Sequence, residues 1–200
     1  MKKALIIGGT GTIGTAVAKK LEKHYEVLIA SRHSKEYPVD ISSVDSIQSL
    51  FEKTGQIDAV IVTAGAAHFG PLKEMTVEDN LVSVTNKLLG QVNIVLLGTD
   101  FVKDKGSFTL VTGIMMDDPI YQGASAALAN GGVRAFAKSA ALELPRGIRI
   151  NTVSPNVLKE SWDKYQDFFV GFNPVSAEKV ANAFVKSVRG LQTGESYEVY

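Results

Sequence analysis

No cysteine occurs anywhere in the sequence, which excludes a disulfide framework, a thiolate metal site and a cysteine nucleophile together. An excess of charge of either sign is also missing. Lys+Arg and Asp+Glu stand at 21 each, so there is no electrostatic case for nucleic acid or an anionic membrane as a partner. Long apolar runs are the third absence. The amino-terminal apolar stretch has the length of a strand, too short for the core of a signal peptide, and no run is read as approaching membrane-spanning length. The expectation is a soluble, cytoplasmic protein that contacts neither nucleic acid nor membrane. What is present suffices for one domain: 200 residues, 45% of them hydrophobic, can bury a core. No repeat, linker or low-complexity tract divides residues 1–200.

The stretch from Lys3 to Leu21 organises the rest. Ala4 to Ile7 is wholly apolar, as expected of a parallel strand covered on both faces. Gly8, Gly9, Gly11 and Gly14 then punctuate a turn, with Thr10, Thr12 and Ile13 between them, and an amphipathic helix pattern follows through Val17 and Leu21. Glycine lets backbone turn sharply and approach a pyrophosphate, and the amino terminus of the following helix offers unpaired N–H groups to the anion. A glycine loop between strand and helix is the context a dinucleotide-binding fingerprint requires. Both Gly9-x-Gly11-x-x-Gly14 and Gly8-x-x-Gly11-x-x-Gly14 fit known spacings.

A second apolar strand, Glu26 to Ser31, ends in Ser31-Arg32-His33. A carboxylate here would accept hydrogen bonds from a ribose 2′-hydroxyl, whereas an arginine suits a 2′-phosphate. The acid is absent and Arg32 is present, so NADP is expected over NAD. Asp40-Ile41 follows, and Ser42 or Ser43 can cap a helix from Val44 to Lys53. A third strand, Ala59 to Val62, runs into Thr63-Ala64-Gly65-Ala66, whose small residues suit either a ligand or tight packing. A helix is expected from about Val77 to about Leu97, with Asn86 near its middle needing a polar partner or water. A strand at Gly106–Val111 ends at Thr112-Gly113, and a helix should begin near Tyr121 and continue to Leu144. The strand Ile148–Val153 is followed by Ser154-Pro155-Asn156-Val157. Trp162 to Phe172 reads as an aromatic lid segment, and a helix carrying Val180, Ala183, Phe184 and Val188 precedes a last strand, Ser196 to Tyr200. Alternating strands and helices point to an α/β fold, a doubly wound parallel sheet of Rossmann type between two helical layers. His24, His33 and His68 lack metal-ligand spacing, and Asp117-Asp118 reads as a solvated turn.

With these segments in order, nearly the whole chain resembles the short-chain dehydrogenase/reductase family. Gly8-Gly9-Thr10-Gly11-Thr12-Ile13-Gly14 stands where that family has its glycine loop, with Thr12 in place of the usual middle glycine. Ser31-Arg32 looks like the NADP-type end of strand two, and Asp40-Ile41 like the pair that meets the adenine. Val62-Thr63-Ala64-Gly65 resembles the Asn-Asn-Ala-Gly turn with both asparagines replaced. Asn86-Lys87-Leu88-Leu89-Gly90 matches the helix that carries the family's catalytic asparagine. Ala140 to Leu144, followed by Gly147 to Pro155, is the most specific block, with Asn156 replacing a usual glycine. The resemblance implies a cofactor site of Gly8, Thr10, Gly11, Thr12, Ile13, Gly14, Ser31, Arg32, His33, Asp40, Ile41, Ala64, Gly65, Ala66, Pro155, Asn156 and Val157. It also implies NADPH as cofactor, a small carbonyl or alcohol as substrate, and assembly into a homodimer or homotetramer.

The departure lies at the catalytic centre. The family uses a Tyr, a Lys four residues later and a Ser on the preceding strand. Aligning Ala124-Ser125 with the Ala-Ser before that Lys puts Gln122 at the Tyr place and Ala126 at the Lys place; shifting by one puts Tyr121 and Ser125 there. Neither register contains a lysine, and the Ser place falls on Thr112 or Gly113. One expectation is therefore an NADP-dependent oxidoreductase with altered acid/base residues, in which Tyr121 donates the proton, Thr112 orients the carbonyl, Asn86 holds a water or the helix, and Ser125 stands in the Lys place. The other is a protein that binds NADP(H) without turnover. A purely structural scaffold is disfavoured, because it gives the glycine loop and Arg32 no reason to coexist.

Overall fold

The computed structural model describes residues 1–200. Seven strands form one all-parallel sheet: β1 (Lys2–Ile7), β2 (Tyr25–Ser31), β3 (Tyr37–Pro38), β4 (Ile57–Val62), β5 (Val102–Val111), β6 (Arg149–Pro155) and β7 (Ser196–Val199). Their spatial order is β3-β2-β1-β4-β5-β6-β7. Helices α1 (Thr12–Leu21) and α7 (Ala177–Arg189) cover one face. The other face is covered by α2 (Val44–Thr54), by a long helix made of α3 (Val77–Ser83), a π-helical stretch (Val84–Leu89) and α4 (Gly90–Gly98), and by α5 (Ala124–Ala140). A short α6 (Trp162–Tyr165) lies in the segment before α7.

Strand β1 shows why the two layers form. Its side chains alternate between faces: Leu5 and Ile7 join the core beneath α2, the long helix and α5, while Ala4 and Ile6 join the core beneath α1 and α7. All four are fully buried. An apolar residue at every position, rather than every second one, suits a strand covered on both sides. Phe51 and Phe108 fill the first core and Phe184 the second. Helix starts follow their capping residues: Ser43 Oγ accepts from Ser46 N, and Thr76 and Asp79 form a reciprocal capping box, each such cap contributing about 1 kcal/mol.

Several boundaries differ from expectation. Strand β5 begins at Val102 rather than Gly106, because Lys103 to Lys105 bulge outward where the register with β4 shifts between Ile57 and Ala59. Helix α5 begins at Ala124, since Tyr121 and Gln122 form a turn in which Gln122 has φ +65°. It ends at Ala140, short of Leu144, where Pro145 excludes helical backbone at the preceding residue. By length and composition the long helix, 25 residues from Val77 to Phe101, could cross a membrane. It is instead a layer of the domain, with Gly90, Gln91, Ile94, Val95 and Gly98 buried, and Gln91 donating to Val111 O and accepting from Val111 N at 2.9 Å each.

Candidate functional site

The chain crosses from β1 to β2 on one side and later to β4 on the other, so the carboxyl ends of β1 and β4 diverge and leave a crevice. A groove of about 470 Å³ occupies it, lined by Ile7, Gly8, Thr10, Ser31, Arg32, His33, Val39, Ile41, Ala64, Gly65, Ala66 and Asn86. Two glycines shape the loop beside the groove: Gly8 lines it, whereas Gly11, Thr12, Ile13 and Gly14, expected at the cofactor, lie outside its lining. Gly8 has φ +88°, and a Cβ there would stand 2.7 Å from Ala64 N and 2.9 Å from Thr63 Oγ1. A Cβ on Gly14 would overlap the Gly8 carbonyl oxygen and stand 2.6 Å from Gly9 Cα. Helix α1 starts at the end of this loop with Gly11 as N-cap, no side chain capping it and no acidic residue in its first turn. The N–H groups of Thr12, Ile13 and Gly14 therefore remain available to an anion.

At the β2 end, Arg32 makes no ion pair and no side-chain hydrogen bond, so its guanidinium is free to meet a ligand in the groove. Asp40, expected beside it, does not line the groove. Its Oδ1 accepts from Ser42 N at 2.9 Å and Ser42 Oγ at 2.6 Å, bonds that lower its pKa, with Arg32 a weaker contributor in the same direction. Asp40 thus shapes the turn that presents Ile41. Asn86 has the polar partner its position demanded: its Oδ1 accepts from Ala66 N at 2.7 Å and fixes the groove wall.

A second cavity, of about 460 Å³, opens beyond the groove between the ends of β5 and β6. Thr112, Gly113, Ile114, Ile120, Gln122, Pro155, Asn156, Val157, Tyr165, Phe168 and Phe169 are among its walls. The aromatic segment is its cover, as expected, with Phe169 buried against Ile114 and Val157. Pro155, Asn156 and Val157, expected at the cofactor, line this cavity instead of the groove. Asn156 is occupied internally, donating to Asn173 O and accepting from Val157 N.

The four expected catalytic residues are not brought together. Asn86 is in the groove and Thr112 in the cavity wall, where its buried hydroxyl donates to Val153 O at 3.2 Å. Tyr121 is 72% exposed and lines neither space, because the turn before α5 points it outward. Ser125 is buried away from both, its Oγ 2.8 Å from Asn80 Oδ1 and 2.7 Å from Ser83 Oγ, where it ties α5 to α3. Asp117 is no free turn residue: it holds Arg134 through both carboxylate oxygens and accepts from Tyr200 Oη at 2.9 Å. Burial, more than any partner, pushes Tyr200 up to about 12.

Sequence reasoning passed over Lys87. Asn86 and Lys87 both lie in the π-helical stretch, a widened turn of a kind that recurs at functional sites. Asn86 reaches the groove wall, while Lys87 lays its stem on Gly65, whose imagined Cβ would be 2.9 Å from Lys87 Cγ. Its Nζ ends 3.5 Å from Thr112 O, its one acceptor. The residue keeps some accessible surface, but its charge centre is enclosed, and burial alone lowers its pKa to about 8. Across the same turn, the buried Asn130 Oδ1 has no partner, while Nδ2 is 3.5 Å from Gly113 O. The signal available in the sequence was a lysine between Asn86 and an apolar pair within a core-facing helix.

Residues 3–189 match the family model described as Enoyl-(Acyl carrier protein) reductase. The crystal structure of the protein lin1944 from Listeria innocua is 62% identical, with each chain fully covered and a TM-score of 0.98. A small-chain dehydrogenase is 30% identical over all of this chain and 96% of that one, at a TM-score of 0.86. A small-chain dehydrogenase crystallised in complex with NADPH is 29% identical over 100% of this chain and 97% of that one, at 0.89. None of the curated proteins compared matches the chain.

Proposed function

The chain belongs to the short-chain dehydrogenase/reductase family, and on that premise we propose that it is an NADPH-dependent reductase of a small, largely apolar carbonyl compound, with acid/base residues unlike the family's usual set. The observation that carries this reading is the unpaired Arg32 guanidinium at the end of β2, in a groove lined by Gly8 and Thr10 of the loop that leads into the uncapped start of α1. A dinucleotide phosphate needs both: backbone N–H groups for the diphosphate and a cation for the 2′-phosphate. The residues fit such a group: glycine at 8 lets the loop pack against Ala64 and glycine at 14 lets α1 start against the Gly8 carbonyl, approaches that any Cβ would block. Gly8, Thr10 and the α1 amides would hold the diphosphate, Ser31, Arg32 and His33 the phosphorylated ribose, Ile41 the adenine, and Ala64 to Ala66 the inner ribose. The bound cofactor supplies a hydride. The chain contributes an apolar cavity that excludes water, and Asn86, which keeps the groove wall in place through Ala66. That a relative was crystallised with NADPH supports the assignment.

Titration with NADPH and NADH, followed by nicotinamide fluorescence, tests it. Charge-assisted hydrogen bonds contribute about 1.5–3 kcal/mol, so Arg32→Ala should weaken NADPH by roughly 10- to 100-fold and leave NADH nearly unchanged. Equal affinities for the two nucleotides in the native protein would defeat the assignment. The outward Tyr121 and the internally bonded Ser125 favour a second reading, binding without turnover. Stopped NADPH consumption across a panel of aldehydes and ketones would support that reading.

Association through the helical layer belongs to the same proposal. The long helix exposes Val82, Leu89 and Leu96, and α5 exposes Leu128, apolar area that a soluble monomer rarely leaves open. Light scattering should give a dimer or tetramer mass, and Leu89→Asp combined with Leu96→Asp should halve it at least. A native monomer at micromolar concentration would refute this.

A further inference from the structure

We propose that the ε-ammonium of Lys87 is the acid that delivers a proton to the substrate's carbonyl oxygen; this rests on the reductase reading above. A reduction of this class needs a donor where the dinucleotide groove meets the substrate cavity, and neither Tyr121 nor Ser125 is there. Lys87 lines neither space itself and stands in the wall between them. Its stem packs on Gly65, which lines the groove, and its Nζ ends at Thr112, which lines the cavity.

Two further observations turn position into chemistry. The first is that the ammonium is nearly unpartnered. It has three N–H donors and a single acceptor at 3.5 Å, the outer limit of a hydrogen bond, so it can turn to a substrate oxygen without breaking a strong contact. The second is isolation from other charge. Glu78, Asp79 and His68 beside α3, Arg134 and Lys138 on α5, and Asp117 after β5 contribute nothing to its titration, and burial is the cause of its lowered pKa. Asp79 lies 3.8 Å from His68, and Asp117 binds Arg134. Lys164 and Tyr165, the other titratable residues of the cavity, sit on its cover. A donor whose pKa lies near the working pH transfers protons efficiently.

The step balances. A bound NADPH would supply the hydride to the carbonyl carbon and be oxidised to NADP+, while Lys87 Nζ gives its proton to the carbonyl oxygen. The alcohol forms, Lys87 becomes a neutral amine, and water entering the cavity returns the proton.

Two experiments on the full-length protein decide the matter. The first needs neither cofactor nor turnover. Benzaldehyde with cyanoborohydride at pH 8 should alkylate the neutral Lys87 amine, through an imine formed with loss of water, ahead of the exposed lysines as read by peptide mass mapping. A Lys87 left unlabelled while surface lysines react would show that its amine does not open into the cavity, and would overturn the proposal. The second measures NADPH oxidation with aromatic and aliphatic aldehydes and ketones. Lys87→Met should lower kcat by about 100- to 10,000-fold and keep the NADPH Kd within about threefold. The native pH profile should fall as pH rises through about 8, a limb the residual activity of the mutant lacks. Lys87→Arg, charged but unable to release a proton, should not restore kcat. Unchanged kcat in Lys87→Met, or a loss confined to NADPH affinity, overturns this proposal and leaves the reductase reading standing. Silence of the native protein across the panel overturns the reductase reading, and the proton-donor role with it.

Discussion

Replacing Lys87 by methionine is expected to make the protein more stable at neutral pH, by about 2 kcal/mol. Lys87 has its pKa lowered by burial from 10.5 to about 8, so between those values the unfolded chain binds more protons than the folded one. Stability therefore rises with pH across that window, and below about 8 the full cost of enclosing the charge is present. At about 1.36 kcal/mol per pH unit, the cost is of order 3 kcal/mol. Methionine keeps the apolar stem on Gly65 and removes the charge; losing the long contact to Thr112 O takes back part of the gain. A rise in Tm of about 4–8 °C at pH 7 should result, shrinking to nothing near pH 10.5. Thermal melts at the two pH values check this. A mutant less stable than the native protein at pH 7 would show that contacts hold the ammonium more firmly than the structure indicates.

The second large effect belongs to Gly14. Alanine there must place a Cβ against backbone, the Gly8 carbonyl oxygen and Gly9 Cα, with no flexible side chain to move aside. Either the loop opens or α1 shifts, and each route disturbs the cradle formed by Gly8 to Gly14. Gly14→Ala should lower stability by about 3 kcal/mol, the upper part of the range for overpacked sites, and Tm by about 6–12 °C. NADPH affinity should fall at least about a hundredfold, because the displaced amides no longer converge on the diphosphate. Gly11→Ala provides the contrast, since a Cβ at Gly11 meets only Gly8 O at 3.4 Å. Its effect on stability should be small, and equal losses in the two variants would refute the steric account.

The parts of this molecule that could be read from its sequence are those where one residue type has one physical use. Apolar runs such as Ala4 to Ile7 and Ala59 to Val62 are strands because both faces are covered. The glycine loop and Arg32 were legible for the same reason: few other purposes place them at the ends of β1 and β2. Tyr121 and Ser125 were expected in the site because they occupy the register of a motif. That register was blind to the turn that gives Gln122 its positive φ and sends Tyr121 outward, leaving Gln122 in the cavity wall. Asp40 was expected at the groove from its neighbours in sequence, but Ser42 claims its carboxylate at shorter range. Lys87 was hidden because nothing in a residue list shows a helix widening by one residue at Val84–Leu89. Regular helical spacing turns the side chains of Asn86 and Lys87 about 100° apart, so a residue list does not place one at Ala66 N and the other between Gly65 and Thr112.

The order in which the strands lie side by side separates two tasks that a smaller fold would crowd together. Arg32 belongs to the wing that begins at β2, and the aromatic-covered cavity to the wing that begins at β4. Protein engineers can exploit that partition: swapping Arg32 for an acid would retarget which nucleotide is taken without touching the opposite wing. On the proposed reductase reading, reshaping Phe168 or Ile120 would change which compound is admitted while nucleotide selection stays as it was.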